Sequence, residues 1–231
     1  MNDNTTYNNG GSINEMGTLN NLNKKGYNIY QCLSELIANS VDSNSTQCIL
    51  SIDSDYIKII DNGDGMNIEK LNNMWDLNRE SHRDENKIGI CGVGSKAATL
   101  ILSKKTECMV HTRVKDGTYL KANINWKHIF SKKKFTNMIV FNDMNGDEIE
   151  TFNKDRLEPY GTTIYLPYNQ DIANLVEEQF NLNINKSGKE QLSLIVPKER
   201  FGIIFGYIHN FKLCIKHIDY PIGKEIKYYK P

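Results

Sequence analysis

The sequence predicts an α+β fold, a two-layer sandwich, and three observations carry that expectation. Apolar residues recur at spacings of three and four through Tyr27, Tyr30, Leu33, Ile37 and Val41, the period of an amphipathic helix. Strand-like runs come in neighbouring pairs, 48–53 with 56–61 and 106–114 with 119–126, each pair joined by turn residues. Helical and hairpin segments interleave with no repeat, proline-rich linker or heptad pattern, which points to one layered domain.

In order along the chain, residues 1–12 are polar and Asn- and Gly-rich and read as a disordered arm. A single domain is expected over 13–231, with 170–231 as a C-terminal part that carries no motif. A helix covers 27–43, and two strands follow, joined at Ser54 and Asp55. After the turn at Asp61–Gly65 comes a short helix over 67–75. Residues 77–88 are charged and aperiodic, so they form a loop. Gly89, Gly92 and Gly94 lead into a helix near 95–102. The hairpin 106–126 turns at Lys115–Thr118, where Asp116-Gly117 is a tight-turn dipeptide. Strands are expected at 138–142 and 162–167, helices at 171–180 and 198–209, and a closing strand at 211–217.

Composition excludes several classes. The 231 residues carry 28 Lys+Arg against 28 Asp+Glu, so no basic excess exists to neutralise phosphates and a nucleic-acid partner is not supported. Cys32, Cys48, Cys91, Cys108 and Cys214 are scattered singly, which fits neither a disulfide framework nor a zinc site. No apolar run approaches the roughly 20 residues of a membrane helix, and the polar start has no signal-peptide core. The expected location is intracellular, without a membrane partner.

Four short segments carry the chemistry. Glu35, Asn39 and Asp42 stand at i, i+4 and i+7 of the first long helix and line one stripe. A carboxylate and an amide one turn apart can hold a cation and a water together; taken alone, the stripe is more often a solvated helix face. The second segment is Asp61–Met66, reading Asp-Asn-Gly-Asp-Gly-Met. Alone it is a turn, and an EF-hand is excluded because Gly63 and Asn72 stand at loop positions three and twelve. The run Ile57–Ile60 delivers Asp61 to a strand end, and Gly63 and Gly65 allow a close approach to a flat ligand. The third segment, Gly89–Lys96, sets free backbone N–H groups before a helix, which suits a polyphosphate. It is no P-loop, since Ser95 rather than Lys follows Gly94. The required strand of a dinucleotide fold is also missing before it. The fourth, Gly161-Thr162, opens a β-branched strand and means little by itself.

In this order the four segments resemble the GHKL ATPases, the group of DNA gyrase B and type II topoisomerases, the ninety-kilodalton heat-shock chaperone, histidine kinases, MutL and MORC proteins. The resemblance spans about residues 27–167. It implies the Bergerat fold: a mixed, mainly antiparallel sheet with helices on one face and ATP between them.

The resemblance also implies roles. Asp61 accepts the adenine amine, Gly65 and Met66 lie against the ring, and Thr162 acts nearby through water. Asn39 binds Mg²⁺. The N–H groups around Gly92 and Gly94 hold the phosphates, and Lys96 meets the γ-phosphate. Asp42, Gly63, Gly89, Val93 and Ser95 complete the nucleotide-binding set, and 77–94 form a lid. Glu35 takes the position of the general base, which favours an ATPase over a histidine-kinase-type phosphotransferase; a non-hydrolysing nucleotide switch is the alternative. Lys96 brings the chain nearer to the topoisomerase II and MORC members. The implied partners are ATP and ADP, a second copy on ATP binding, and a transducer domain or client protein.

Overall fold

Residues 14–24, 26–77, 94–154, 156, 158–172, 174, 211–217 and 220–225 are described by a computed structural model. The expected arm 1–12, most of the loop and lid with Gly89, Gly92 and Val93, and the helix expected at 198–209 lie outside these residues.

The centre is an eight-stranded sheet: β1 Gln47–Ile52, β2 Tyr56–Asp61, β3 Glu107–Arg113, β4 Leu120–Asn125, β5 Val140–Asp143, β6 Gly161–Pro167, β7 Lys212–His217 and β8 Tyr220–Glu225. Their order is β5-β4-β3-β6-β2-β1-β7-β8. All neighbours run antiparallel except β1 and β7, which are parallel. The sheet is therefore mixed and mainly antiparallel, as expected.

The helices are α1 Glu15–Lys24, α2 Ile29–Asp42, α3 Ile68–Asn73, α4 Gly94–Leu102, α5 Trp126–Lys132 and α6 Gly146–Lys154. α2 is started by a capping box. Asn28 Oδ1 accepts from Gln31 N–H at 2.8 Å, and Gln31 Oε1 accepts from Asn28 N–H at 3.0 Å, a device worth about 1 kcal/mol. Of the apolar stripe read from the sequence, Tyr30, Leu33 and Ile37 are buried and Tyr27 and Val41 partly so; with Leu36 they belong to one core with Ala97, Ala98 and Leu100 of α4 and Leu50, Ile57, Val110 and Leu166 of the sheet. Cys32, Cys48 and Cys108 are free and buried within this core, small hydrophobes rather than bridges.

α6 is anchored on the other face. His111 of β3 is in register with Lys121 on one side and Thr163 on the other, so these three share a face. Lys121 there pairs with Glu148 of α6 at 2.6 Å.

Three differences from the sequence expectation have physical causes. The strand expected over 119–126 ends at Asn125, whose Oδ1 accepts from His128 N–H at 2.8 Å and caps α5. α5 buries only Trp126 and Ile129, and α6 only Phe152, too few apolar positions to make a period. Strand 212–217 does not close the chain, because β8 pairs with it antiparallel. Of the helix expected at 171–180, positions 171, 172 and 174 are helical, and the others lie outside the described residues. No helix among the described residues is long and apolar enough to cross a membrane.

Candidate nucleotide site

Strand register builds one polar row on the helix-covered face. Cys48, Asp61, Thr162 and Thr112 are successive neighbours across β1, β2, β6 and β3. Asp61 is 7% exposed and Thr112 fully buried. Burying a carboxylate is costly unless donors surround it, and three do. Asp61 Oδ1 accepts from the N–H groups of Gly63 at 3.0 Å and Thr162 at 3.1 Å. Oδ2 accepts from Ser40 Oγ at 3.2 Å. A carboxylate offers about four acceptor positions, so one remains for a further donor. Burial still raises the Asp61 pKa to about 6, against the pull of these donors and the Arg156 guanidinium.

The Asp61–Gly65 turn divides its labour. Asn62 Oδ1 accepts from Ser45 Oγ, Thr46 N–H and Gln47 N–H within 3.0 Å and braces the loop into β1. Asp64 accepts from Asn44 Nδ2 at 2.7 Å. A side chain at Gly63 would collide with Ser43, and one at Gly65 with the Arg113 carbonyl. Gly65 also has φ +67°, a left-handed conformation costly for other residues. Both glycines are thus required by the protein's own backbone and side chains, in addition to the close approach to a flat ligand expected of them. Met66 N–H donates to Thr112 Oγ1 at 2.8 Å, so the chain after the turn is pinned beside the row.

The other end of the site lies five residues back along α2, about 7.5 Å of helix rise from Ser40. Glu35 is half-buried there, and its carboxylate fills the space that a side chain at Gly94, the first residue of α4, would take. Burial raises the Glu35 pKa, and the nearby Asp42 carboxylate raises it further. Asn39 is exposed and Asp42 half-buried on the same stripe, an all-oxygen donor set of the kind a hard divalent cation takes. Ser95 is half-buried, and Lys96 is enclosed at 2% exposure in the first turn of α4.

The structure therefore brings together Asp61, Gly63, Met66 and Thr162 at one end and Glu35 and Gly94 at the other, with Asn39 and Asp42 on the helix that spans them. A separate cavity of about 640 Å³, lined by Ile68, Trp75, Phe135 and Phe141 among others, contains none of them. The buried, donor-ringed carboxylate rather than cavity size marks the site. Sequence reasoning missed Ser40, Thr112 and Arg156. Ser40 was readable, since it lies inside the Glu35–Asp42 run; the other two depend on strand register.

A family model described as "Histidine kinase-, DNA gyrase B-, and HSP90-like ATPase" matches residues 27–157. No curated protein matches the chain.

Proposed function

The chain belongs to the histidine kinase-, DNA gyrase B- and HSP90-like ATPases, and from that premise we propose that it binds ATP with Mg²⁺ and hydrolyses it. The supporting observation is Asp61: a buried carboxylate with three donors and one acceptor position to spare. An exocyclic amine is the donor that fits. Adenine brings one; guanine brings a carbonyl oxygen to the same place.

Thr162 and Thr112, whose hydroxyl oxygens are 3.2 Å apart, continue the polar row beside it. Asn39, with Asp42 behind it, would hold Mg²⁺, which supplies charge screening for the phosphates. The N-terminal N–H groups of α4 at Gly94 and Ser95 face the phosphate end, with Gly89, Gly92 and Val93 assigned there from the motif and Lys96 assigned to the γ-phosphate. Glu35, made more basic by its raised pKa, is positioned to take a proton from an attacking water. Lid closure by 77–94 and ATP-driven pairing of two copies complete the reading.

Calorimetry with ATP, GTP and Mg²⁺ tests the base assignment. Two acceptors left facing each other cost about 1–3 kcal/mol, roughly 5- to 150-fold in affinity. Equal affinity for the two nucleotides removes Asp61 from adenine recognition. Phosphate release measured beside radiolabel retained on protein separates hydrolysis from a silent switch and from phosphotransfer.

A further inference from the structure

Arg156 follows α6, on the opposite face of the sheet from the nucleotide site, yet its guanidinium reaches the strand that carries Asp61. Nη1 donates to the Asp61 carbonyl at 3.2 Å and to the Tyr160 carbonyl at 2.7 Å. Nε donates to the Phe152 carbonyl at 2.8 Å, and Nη2 donates to Thr163 Oγ1. The guanidinium carbon stands 3.5 Å from the Phe152 ring centroid. One planar fork thus ties the end of α6, the start of β6 and the last residue of β2. The packing is tight enough to dictate the neighbouring sequence. A side chain at Gly161, where φ is +110°, would meet the Asp61 carbonyl, Arg156 Nη1 and Asn62 Cα.

We propose that Arg156 is the positioning residue of the adenine end of the site, clamping Asp61 from behind so that its carboxylate stays aimed at the base and stays ionised. This rests on the reading of Asp61 as the adenine acceptor. The groups that face Asp61 are the Ser40 hydroxyl from α2, the Cys48 thiol from β1, the Thr162 N–H from β6, the Gly63 N–H from its own turn and the Arg156 guanidinium. Burial pushes the Cys48 thiol far up, so it stays neutral. Among the described residues Arg156 is the full positive charge acting on Asp61, and it opposes the burial that favours the protonated acid. A protonated Asp61 donates where the adenine amine also donates, so the base loses its acceptor.

Two roles are separable because Arg and Lys differ in geometry but not in charge. Affinity for ATP–Mg²⁺ is measured by calorimetry from pH 5.5 to 8.5 on the parent, Arg156→Gln and Arg156→Lys. The quantity compared is the ratio of variant to parent at each pH, in which titration of the nucleotide cancels. Beyond the loss of the fork that it shares with Arg156→Lys, Arg156→Gln is expected to lose a further factor of roughly three at pH 6.5 and about eight at pH 5.5, as when the acid dissociation constant of Asp61 falls about tenfold from a pKa of about 6, and to approach the Arg156→Lys affinity at pH 8.5. Arg156→Lys keeps the charge and loses the fork, so its deficit is expected to be the same at every pH. A pH-independent deficit in Arg156→Gln overturns the charge role, and parent-like affinity in both variants overturns the clamp. If Arg156→Gln does not fold, a deficit in Arg156→Lys that shrinks toward alkaline pH overturns the charge role in its place. Failure of the underlying reading looks different: the parent itself then binds no ATP, or shows no loss of affinity as pH falls through about 6.

Discussion

The carboxylate of Glu35 occupies the space into which a side chain at Gly94 would project. The obstructing atoms are the far end of a flexible side chain, not backbone, so the clash has a cheap solution: the carboxylate moves. Gly94→Ala is therefore expected to fold with stability within about 1 kcal/mol of the parent, helped by the better helix propensity of Ala. Its ATP turnover is expected to fall, because the displaced group is the proposed base. The bound is the 10²–10⁴-fold that a general base contributes. Unchanged turnover in a folded Gly94→Ala protein removes Glu35 from the reaction.

Gly65 makes the opposite case. A side chain there meets the carbonyl of Arg113, and φ is +67°, so neither backbone can yield cheaply. Gly65→Ala is expected to lower stability by about 1–3 kcal/mol or more, read as an earlier denaturant midpoint, with or without nucleotide. A neutral result there means that the turn and the end of β3 are not held together in solution.

Binding and chemistry separate along α2. Glu35→Ala should leave ATP–Mg²⁺ affinity within a few-fold while turnover drops by about 10²–10⁴-fold. Asn39→Ala should weaken nucleotide binding instead, since the cation loses its protein oxygen and the triphosphate its screening. If the stripe is only a solvated helix face, both changes stay within about 0.5 kcal/mol in stability and leave binding and turnover alone. Steady-state kinetics with nucleotide titration decides among these.

How far the sequence disclosed the fold depends on burial period. α2 was legible because its buried apolar residues keep a helical period, and β1 and β2 because each is a short run rich in buried Ile and Leu, bounded by turn residues. α5 and α6 were not, because a helix that buries one or two side chains leaves no period to read. The site divides in the same way. Glu35, Asn39, Asp61 and Thr162 lie in short motifs whose order is visible in one dimension. Thr112 and Arg156 matter only because β3 is in register with β6 at Thr162, and because the chain after α6 returns beneath Asp61. No local pattern encodes either contact.

Asp61 also links function to stability through pH. Native Asp61 holds its proton up to about pH 6, whereas an unfolded aspartate releases it near 3.8. Between those values folding takes up a proton, so this group's contribution falls as pH rises, by about 3 kcal/mol in all. His111, 4% exposed with both ring nitrogens unpartnered among the described residues, runs the other way. Burial lowers its pKa to about 4 from the ordinary 6.5, so folding expels a proton there and stability rises with pH by a similar amount. In the parent the two slopes nearly cancel between pH 4 and 6.5. Asp61→Asn removes one of them while keeping the shape: the amide oxygen still accepts from Gly63 and Thr162, and the amide nitrogen can donate to Ser40 Oγ. The variant is expected to match the parent near pH 4 and to exceed it by up to about 3 kcal/mol at pH 7. Its ATP affinity should be lost, since an amide donor now faces the adenine amine. Other titrating groups, such as Glu148, whose pKa its Lys121 partner lowers, act equally in both proteins and drop out of the difference. Denaturant unfolding of parent and variant from pH 4 to 7.5 provides the curve. A parent that remains the more stable protein at pH 7 shows that the buried carboxylate is better compensated than its three donors and Arg156 imply.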